Sequence, residues 1–266
     1  MVILLLVGAV LFLMKTKQPS NNPSNPSNPT QSPDVPEDPG ECWSDDPVSE
    51  DVTDIYVSSD RCNTEDFTVL DLTRFKDLMS IDIGSNSFLY VKELKITGLR
   101  NLERVKIGSN SFSKVQGSFV LRDCRSLNEL RVADGAFNLF SVLTLDSLPA
   151  LELIDIGDEC FHHVKTFRVS GMNSLERLVV GENSFTTSTG VWDVREDPNS
   201  HFYLKNCPSL RDITIGRLSF SDYTICEIKN VDALETIEIG DLNENSENFS
   251  YALLELKSII ISVLNK

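Results

Sequence analysis

From about residue 52 onward, hydrophobic positions recur with a nearly fixed period. The segment LERVKIGSNSF, Leu102 to Phe112, carries apolar residues at relative positions one, four, six and eleven, with Asn110 at nine. The segments from Leu78 to Phe88 and from Leu175 to Phe185 repeat this form with Asn86 and Asn183. Segments opening at Leu127, Leu151 and Leu210 keep the apolar positions and lose the Asn, and LETIEIG from Leu234 keeps only the first half. Successive leading leucines are separated by 24, 25, 24, 24, 35 and 24 residues. Self-similarity at such a period marks a stacked repeat architecture, in which each unit buries its apolar face only against its neighbours.

Within each unit, positions four and six alternate with polar residues, as in a half-buried strand. The pairs Ile81/Ile83, Val105/Ile107, Leu130/Val132, Ile154/Ile156, Leu178/Val180, Ile213/Ile215 and Ile237/Ile239 should therefore point inward. Stacking them predicts one parallel sheet with strands about 4.8 Å apart. A second alternating pair follows about 16 residues after each leading Leu, as in Leu94/Ile96, Phe119/Leu121, Phe167/Val169 and Cys226/Ile228. It predicts a second row of short strands on the opposite face, with few helices. Val52, Ile55, Val57 and Cys62 fit a degenerate first unit, and Leu256, Ile259 and Ile261 fit a last strand. A buried Asn at position nine is expected to satisfy backbone groups at the turn. Its absence from four units predicts a turn that is not built uniformly. No polar capping helix follows the last strand, so either the final coil is poorly covered or the chain is truncated.

These units resemble the leucine-rich repeat superfamily, whose pattern is L-x-x-L-x-L-x-x-N-x-L, with Phe here in place of the last Leu. The glycine after the strand and the Ser, Ala or Cys before Phe resemble protist or bacterial surface-antigen repeats. The resemblance covers about residues 50–266. It implies a mostly β repeat solenoid that recognises protein or glycan partners without catalysis.

The front of the chain has another character. Val2 to Met14 is an uninterrupted run of apolar or small residues, shorter than the roughly 20 residues of a helical span and close to a signal-peptide core. No basic residue precedes it and no small-x-small cleavage site follows, whereas Lys15 and Lys17 flank it like a stop-transfer segment. Residues 1–17 therefore divide off as an apolar anchor or signal-like segment. Residues 18–41 hold seven of the eleven prolines, with the triplet NPS recurring. That composition predicts a disordered, proline-stiffened stalk. Residues 42–66 form an acidic neck and N-terminal cap, and residues 67–266 the solenoid.

Charge sharpens this division. The chain has 40 acidic and 24 basic residues and a net charge of −16. Residues 34–66 contain twelve of the acids and only Arg61 as a base, so the repeats are closer to balance. The excess argues against a nucleic-acid binder, which needs clustered Lys and Arg. Lysines behind the apolar run favour a cytoplasmic placement of the repeats. The apolar run points to membrane attachment, and the resemblance favours the repeats at the cell surface.

Candidate chemistry is sparse. Cys62, Cys124, Cys207 and Cys226 replace apolar repeat residues and Cys160 takes the small position before Phe161, as buried thiols would. Cys42 with Cys62 is the one plausible disulfide. There is no C-x-x-C pair for zinc. His162 and His163 fall in a turn and His201 at the start of a second-row strand, with no nucleophile at fixed spacing. The glycines form no phosphate loop, and the acidic neck lacks the calcium-loop spacing. Asn248-Phe249-Ser250 is the single acceptable N-glycosylation sequon, since Pro spoils the three in the stalk. No catalytic residue, cofactor or metal ligand is expected.

Two features remain as partner-binding candidates. The outward row of the main sheet carries Arg104, Lys106, Arg131 and Arg177 within a mixed polar strip. The insertion from Thr186 to His201 exceeds the repeat length by 11 residues and carries Trp192. The expected function is a membrane-tethered, non-catalytic interaction module. The alternative is a structural fragment of a larger surface protein.

Overall fold

The computed structural model describes residues 50–187, 197–240, 248–249 and 253–257. The apolar run Val2–Met14, the stalk, most of the neck, Cys42 and Trp192 lie outside these. The described chain winds as a parallel β-solenoid of about seven turns without helix.

The main sheet comprises β1 (Asp54–Val57), β3 (Ser80–Ile83), β5 (Arg104–Ile107), β7 (Glu129–Val132), β9 (Leu153–Ile156), β11 (Arg177–Val180), β13 (Asp212–Ile215) and β15 (Thr236–Ile239), paired in that order. The opposite wall consists of two four-stranded sheets. One contains β2 (Val69–Asp71), β4 (Glu93–Thr97), β6 (Ser118–Arg122) and β8 (Val142–Asp146). The other contains β10 (Thr166–Ser170), β12 (Asp197–Lys205), β14 (Tyr223–Lys229) and β16 (Leu253–Lys257). Every pairing is parallel, as the single sense of coiling requires.

The inward residues are those expected as far as β13; in the edge strand β15, Ile237 is half-buried and Ile239 is 40% exposed, because no further described strand pairs with it. Ile81, Val105, Leu130, Ile154, Leu178 and Ile213 are at most 1% exposed. Their outward neighbours vary in charge and size, because solvent constrains them little. The first unit is present as β1, with Val52, Ile55 and Val57 buried. The last strand differs from expectation. Of the residues expected to form it, Leu256 belongs to β16 in the second row, opposite Ile228, and Ile259 and Ile261 lie outside the described residues. His201 likewise lies inside β12 and does not begin it.

The turn chemistry departs from the expected buried asparagine. Asn86, Asn110 and Asn183 have φ of 54°, 57° and 52°, and none is buried. Asn tolerates this left-handed conformation better than most residues, so position nine selects a turn geometry. The buried polar residue is the Ser at position ten. Ser87, Ser111, Ser184 and Ser219 are all 0% exposed. Ser111 Oγ accepts the N–H of Ser87 at 3.0 Å and donates to the carbonyl of Gly84 at 2.9 Å. Ser184 does the same for Cys160 and Gly157. Each hydroxyl thus joins one coil to the coil before it.

The next residue, Phe, also has positive φ, between 51° and 58° from Phe88 to Phe249. A left-handed conformation costs a bulky residue about 1–2 kcal/mol. Ring burial offsets it: Phe88, Phe112, Phe137, Phe161, Phe185 and Phe220 are at most 1% exposed. Their rings form a continuous stack with centroid spacings of 4.7–5.3 Å. Cys62 holds the equivalent backbone position with φ 62°, and Phe67 supplies the ring that packs on Phe88 at 5.9 Å. At the other end Phe249 stacks on Phe220 at 5.3 Å. The unit from Leu234 therefore does have its second half, displaced by extra residues between Gly240 and Phe249.

The glycine after each main strand answers to coil spacing. A Cβ on Gly108 would lie 2.5 Å from the backbone of Gly84 and Ser85.

Candidate functional site

The outward residues of the main sheet form two rows, placed by the register. One runs Asp54, Ser80, Arg104, Glu129, Leu153, Arg177, Asp212 and Thr236. The other runs Tyr56, Asp82, Lys106, Arg131, Asp155, Val179, Thr214 and Glu238. Strand adjacency places opposite charges side by side, the arrangement that stabilises cross-strand pairs. Lys106 lies 3.6 Å from Asp82, and Arg131 2.5 Å from Asp155 while also bonding Glu129 on its own strand. Arg177 lies 3.8 Å from Asp212. Arg104 stands between Ser80 and Glu129 in the register.

The strip is therefore less basic than its middle residues imply. Its four cations stand among six carboxylates, and three of them are already paired. At the C-terminal ends of these strands lies an open groove of about 550 Å³, lined by Tyr56, Asp82, Lys106, Arg131 and Asp155 together with the glycine turns. Tyr56 is 47% exposed at one end of it. A groove with alternating charge and an exposed aromatic can orient a polar partner. Its ion pairs are solvent-accessible, and such pairs contribute about 0–1 kcal/mol each. Lys106→Ala should accordingly shift stability by less than about 0.5 kcal/mol, as read by denaturant midpoint. A larger loss would place Lys106 inside the packing.

No protein family, curated protein or solved structure matches the chain. The repeat geometry and the side chains on its faces therefore carry the functional argument.

The remaining predicted positions resolve as follows. Cys124, Cys160, Cys207 and Cys226 are free and buried, and burial pushes the thiols of Cys160 and Cys226 up to about 12. They act as small apolar residues. Cys62 is disulfide-bonded, and with those four free the one remaining cysteine is Cys42, outside the described residues. His162 is half-buried and 3.6 Å from Glu159. Burial pushes its pKa down, with Glu159 opposing. Among the described residues, no group of three or more His, Cys, Asp and Glu side chains could hold a metal ion.

The sequon asparagine has a structural role. Asn248 occupies the position of the ladder serine, one residue before Phe249. Its Nδ2 donates to the carbonyls of Gly216 at 2.6 Å and Ser219 at 3.0 Å. That is the atom a glycan would need.

Sequence reasoning passed over one further cluster, on the sheet formed by β10, β12, β14 and β16. Arg168, Tyr203, Lys205, Glu227 and Lys229 converge there. The 24-residue spacing of Lys205 and Lys229 was the available signal.

Proposed function

We propose that the chain is a non-catalytic interaction module of leucine-rich-repeat type, tethered to a membrane through Val2–Met14 and displayed on its Pro-rich stalk. It engages a protein or glycan partner along the main sheet. The carrying observation is the register row Tyr56–Asp82–Lys106–Arg131–Asp155, which lines one groove across five strands. A long, rigid face built from successive coils is the usual binding surface of stacked repeats. The disulfide at Cys62 supports display outside the cytosol, where such bonds persist. Among the described residues no helix is long and apolar enough to cross a membrane, so the tether rests on the N-terminal run alone.

The test has two parts. The full-length protein should sediment with membranes, and added protease should remove the repeats from intact cells. Recovery in the soluble cytosolic fraction would remove the tether. Partners selected on glycan and surface-protein arrays should then lose at least tenfold in affinity for a Lys106→Glu/Arg131→Glu variant. Unchanged affinity would remove the main-sheet groove as the binding face.

A further inference from the structure

The main-sheet groove offers hydrogen-bonding groups whose charges are already matched. Its lining holds Asp82, Asp134 and Asp155 against Lys106 and Arg131. Each of these has a partner. Lys106 lies 3.6 Å from Asp82, and Arg131 bonds Asp155 at 2.5 Å and also Glu129 on its own strand. Asp134 Oδ1 accepts the N–H of Asp158 at 3.0 Å. An anionic polymer would need an unpaired cation here, and a basic peptide an unpaired carboxylate. Either would have to break one exposed pair to form another, and such an exchange gains little.

The pairs nevertheless leave polar capacity unused. The Arg131 fork carries more N–H donors than its two bonds engage, and the carboxylates carry further lone pairs. The guanidinium and the Asp155 carboxylate are both planar and are held side by side by their mutual bond. A donor fork beside an acceptor pair suits neighbouring hydroxyls on one ring. Holding the groups beforehand removes part of the entropy cost of binding. Ser59, Ser85 and Ser109 line the same groove on successive coils and add hydroxyls.

Tyr56 supplies the apolar part. Its ring is 47% exposed, and among the described residues it makes no hydrogen bond, ring contact or cation contact. The face of an aromatic ring is negative and attracts positively polarised C–H groups. A pyranose ring presents such C–H groups on its flat sides. The register sets the length. Tyr56, Asp82, Lys106, Arg131 and Asp155 hold one position on successive strands, so the row spans about 19 Å at about 4.8 Å per strand. A pyranose ring is about as long as one such step, so an extended chain keeps pace with the coils.

We propose that this groove binds an extended, uncharged, β-linked glycan, with one sugar stacked on Tyr56 and the following sugars hydrogen-bonded to Asp82, Arg131 and Asp155. The inference names the partner class for the main-sheet groove and rests on the reading of that groove as the binding face. A folded protein partner would call for an apolar and aromatic centre. Here the one aromatic residue of the lining stands at the end of the row, and the centre is charge-paired.

Cellohexaose, chitohexaose and mannohexaose, all β-linked and neutral, are the probes. Hexagalacturonate and hexalysine are the charged controls. Binding to the full-length protein should be measured by calorimetry at low and physiological salt. At least one neutral hexamer should bind, with an affinity that changes by less than about twofold between the two salts, since no exposed charge is neutralised. Tyr56→Ala should bind it at least tenfold more weakly, whereas Tyr56→Phe, which keeps the ring face, should bind as the wild type does. Arg131→Gln should bind several-fold more weakly, and Lys205→Gln, on the opposite wall, should bind as the wild type does. Circular dichroism melts confirm that each variant is folded. The proposal is overturned if none of the three hexamers binds, if either charged control binds more tightly, or if Tyr56→Ala binds as well as the wild type. The two readings fail differently. If the hexamers do not bind while an array-selected partner still loses affinity for Lys106→Glu/Arg131→Glu, the glycan is wrong and the groove stands. If a hexamer binds wild type, Tyr56→Ala and Arg131→Gln equally, the groove itself is wrong.

Discussion

Replacing Phe112 with Ala should lower stability by about 3–5 kcal/mol, the range for deleting a buried aromatic. For an ordered region of this size that corresponds to a fall in Tm of about 10 °C. The Phe112 ring is 0% exposed and sits inside a column, 5.3 Å from Phe88 and 4.7 Å from Phe137. The edge of Phe140 adds a further contact at 6.3 Å. Removing the ring leaves a void between coils held together by backbone hydrogen bonds, so the column cannot collapse to fill it. Backbone conformation yields a second, sharper expectation. At φ 57° an Ala retains the left-handed strain while losing the ring that offset it. Glycine escapes that strain, which costs other residues about 1–2 kcal/mol. Phe112→Gly should therefore be no less stable than Phe112→Ala, the reverse of the usual order inside a strand. Chemical denaturation of both variants beside Lys106→Ala checks the point. If Phe112→Ala were as mild as Lys106→Ala, the inward column would be wrong; if Gly were clearly worse than Ala, the strain argument would fail.

The repeat register was legible because inward residues must be apolar in every coil, and period-two alternation exposes them in Ile81/Ile83, Val105/Ile107 and their equivalents. The turn was misread because Asn suits two different tasks, bonding backbone groups from the interior and adopting positive φ. The pattern at Asn86, Asn110 and Asn183 cannot separate them. The Ser of position ten carries the interior bonds, and its replacement by Ala136 and Cys160 hid the ladder. The last coil escaped notice because extra residues between Gly240 and Phe249 broke the spacing, although the ring still reached the stack. On the outer faces, Arg104, Lys106, Arg131 and Arg177 were readable as a basic run along the chain. Only strand register shows that Asp82, Asp155 and Asp212 lie beside three of them. The cluster around Tyr203 was hidden for the same reason: Arg168, Lys205 and Glu227 are far apart in sequence and meet across strands.

The serine ladder supports the second large prediction. Ser184 is fully buried, and its hydroxyl accepts the N–H of Cys160 at 3.0 Å while donating to the carbonyl of Gly157 at 2.9 Å. Ser184→Ala leaves both groups unpartnered where water cannot reach, and each such loss costs about 1–3 kcal/mol. The net loss should be about 2–3 kcal/mol, with the fold retained because the Cβ still fits. The chain already contains the converse case. At Ala136 the ladder lacks a hydroxyl, and the N–H of Ser111 turns to the Gly108 carbonyl of its own coil at 3.4 Å. Ala136→Ser would supply an acceptor for that N–H and a donor for the same carbonyl. It should stabilise the protein by about 0.5–1.5 kcal/mol. The two variants test one idea from opposite sides, and the pair of denaturation midpoints decides it. Midpoints shifting down for Ser184→Ala and up for Ala136→Ser would make the hydroxyls energetic links between coils. Two unchanged midpoints would mean that strand pairing and the phenylalanine column alone hold the coils in register.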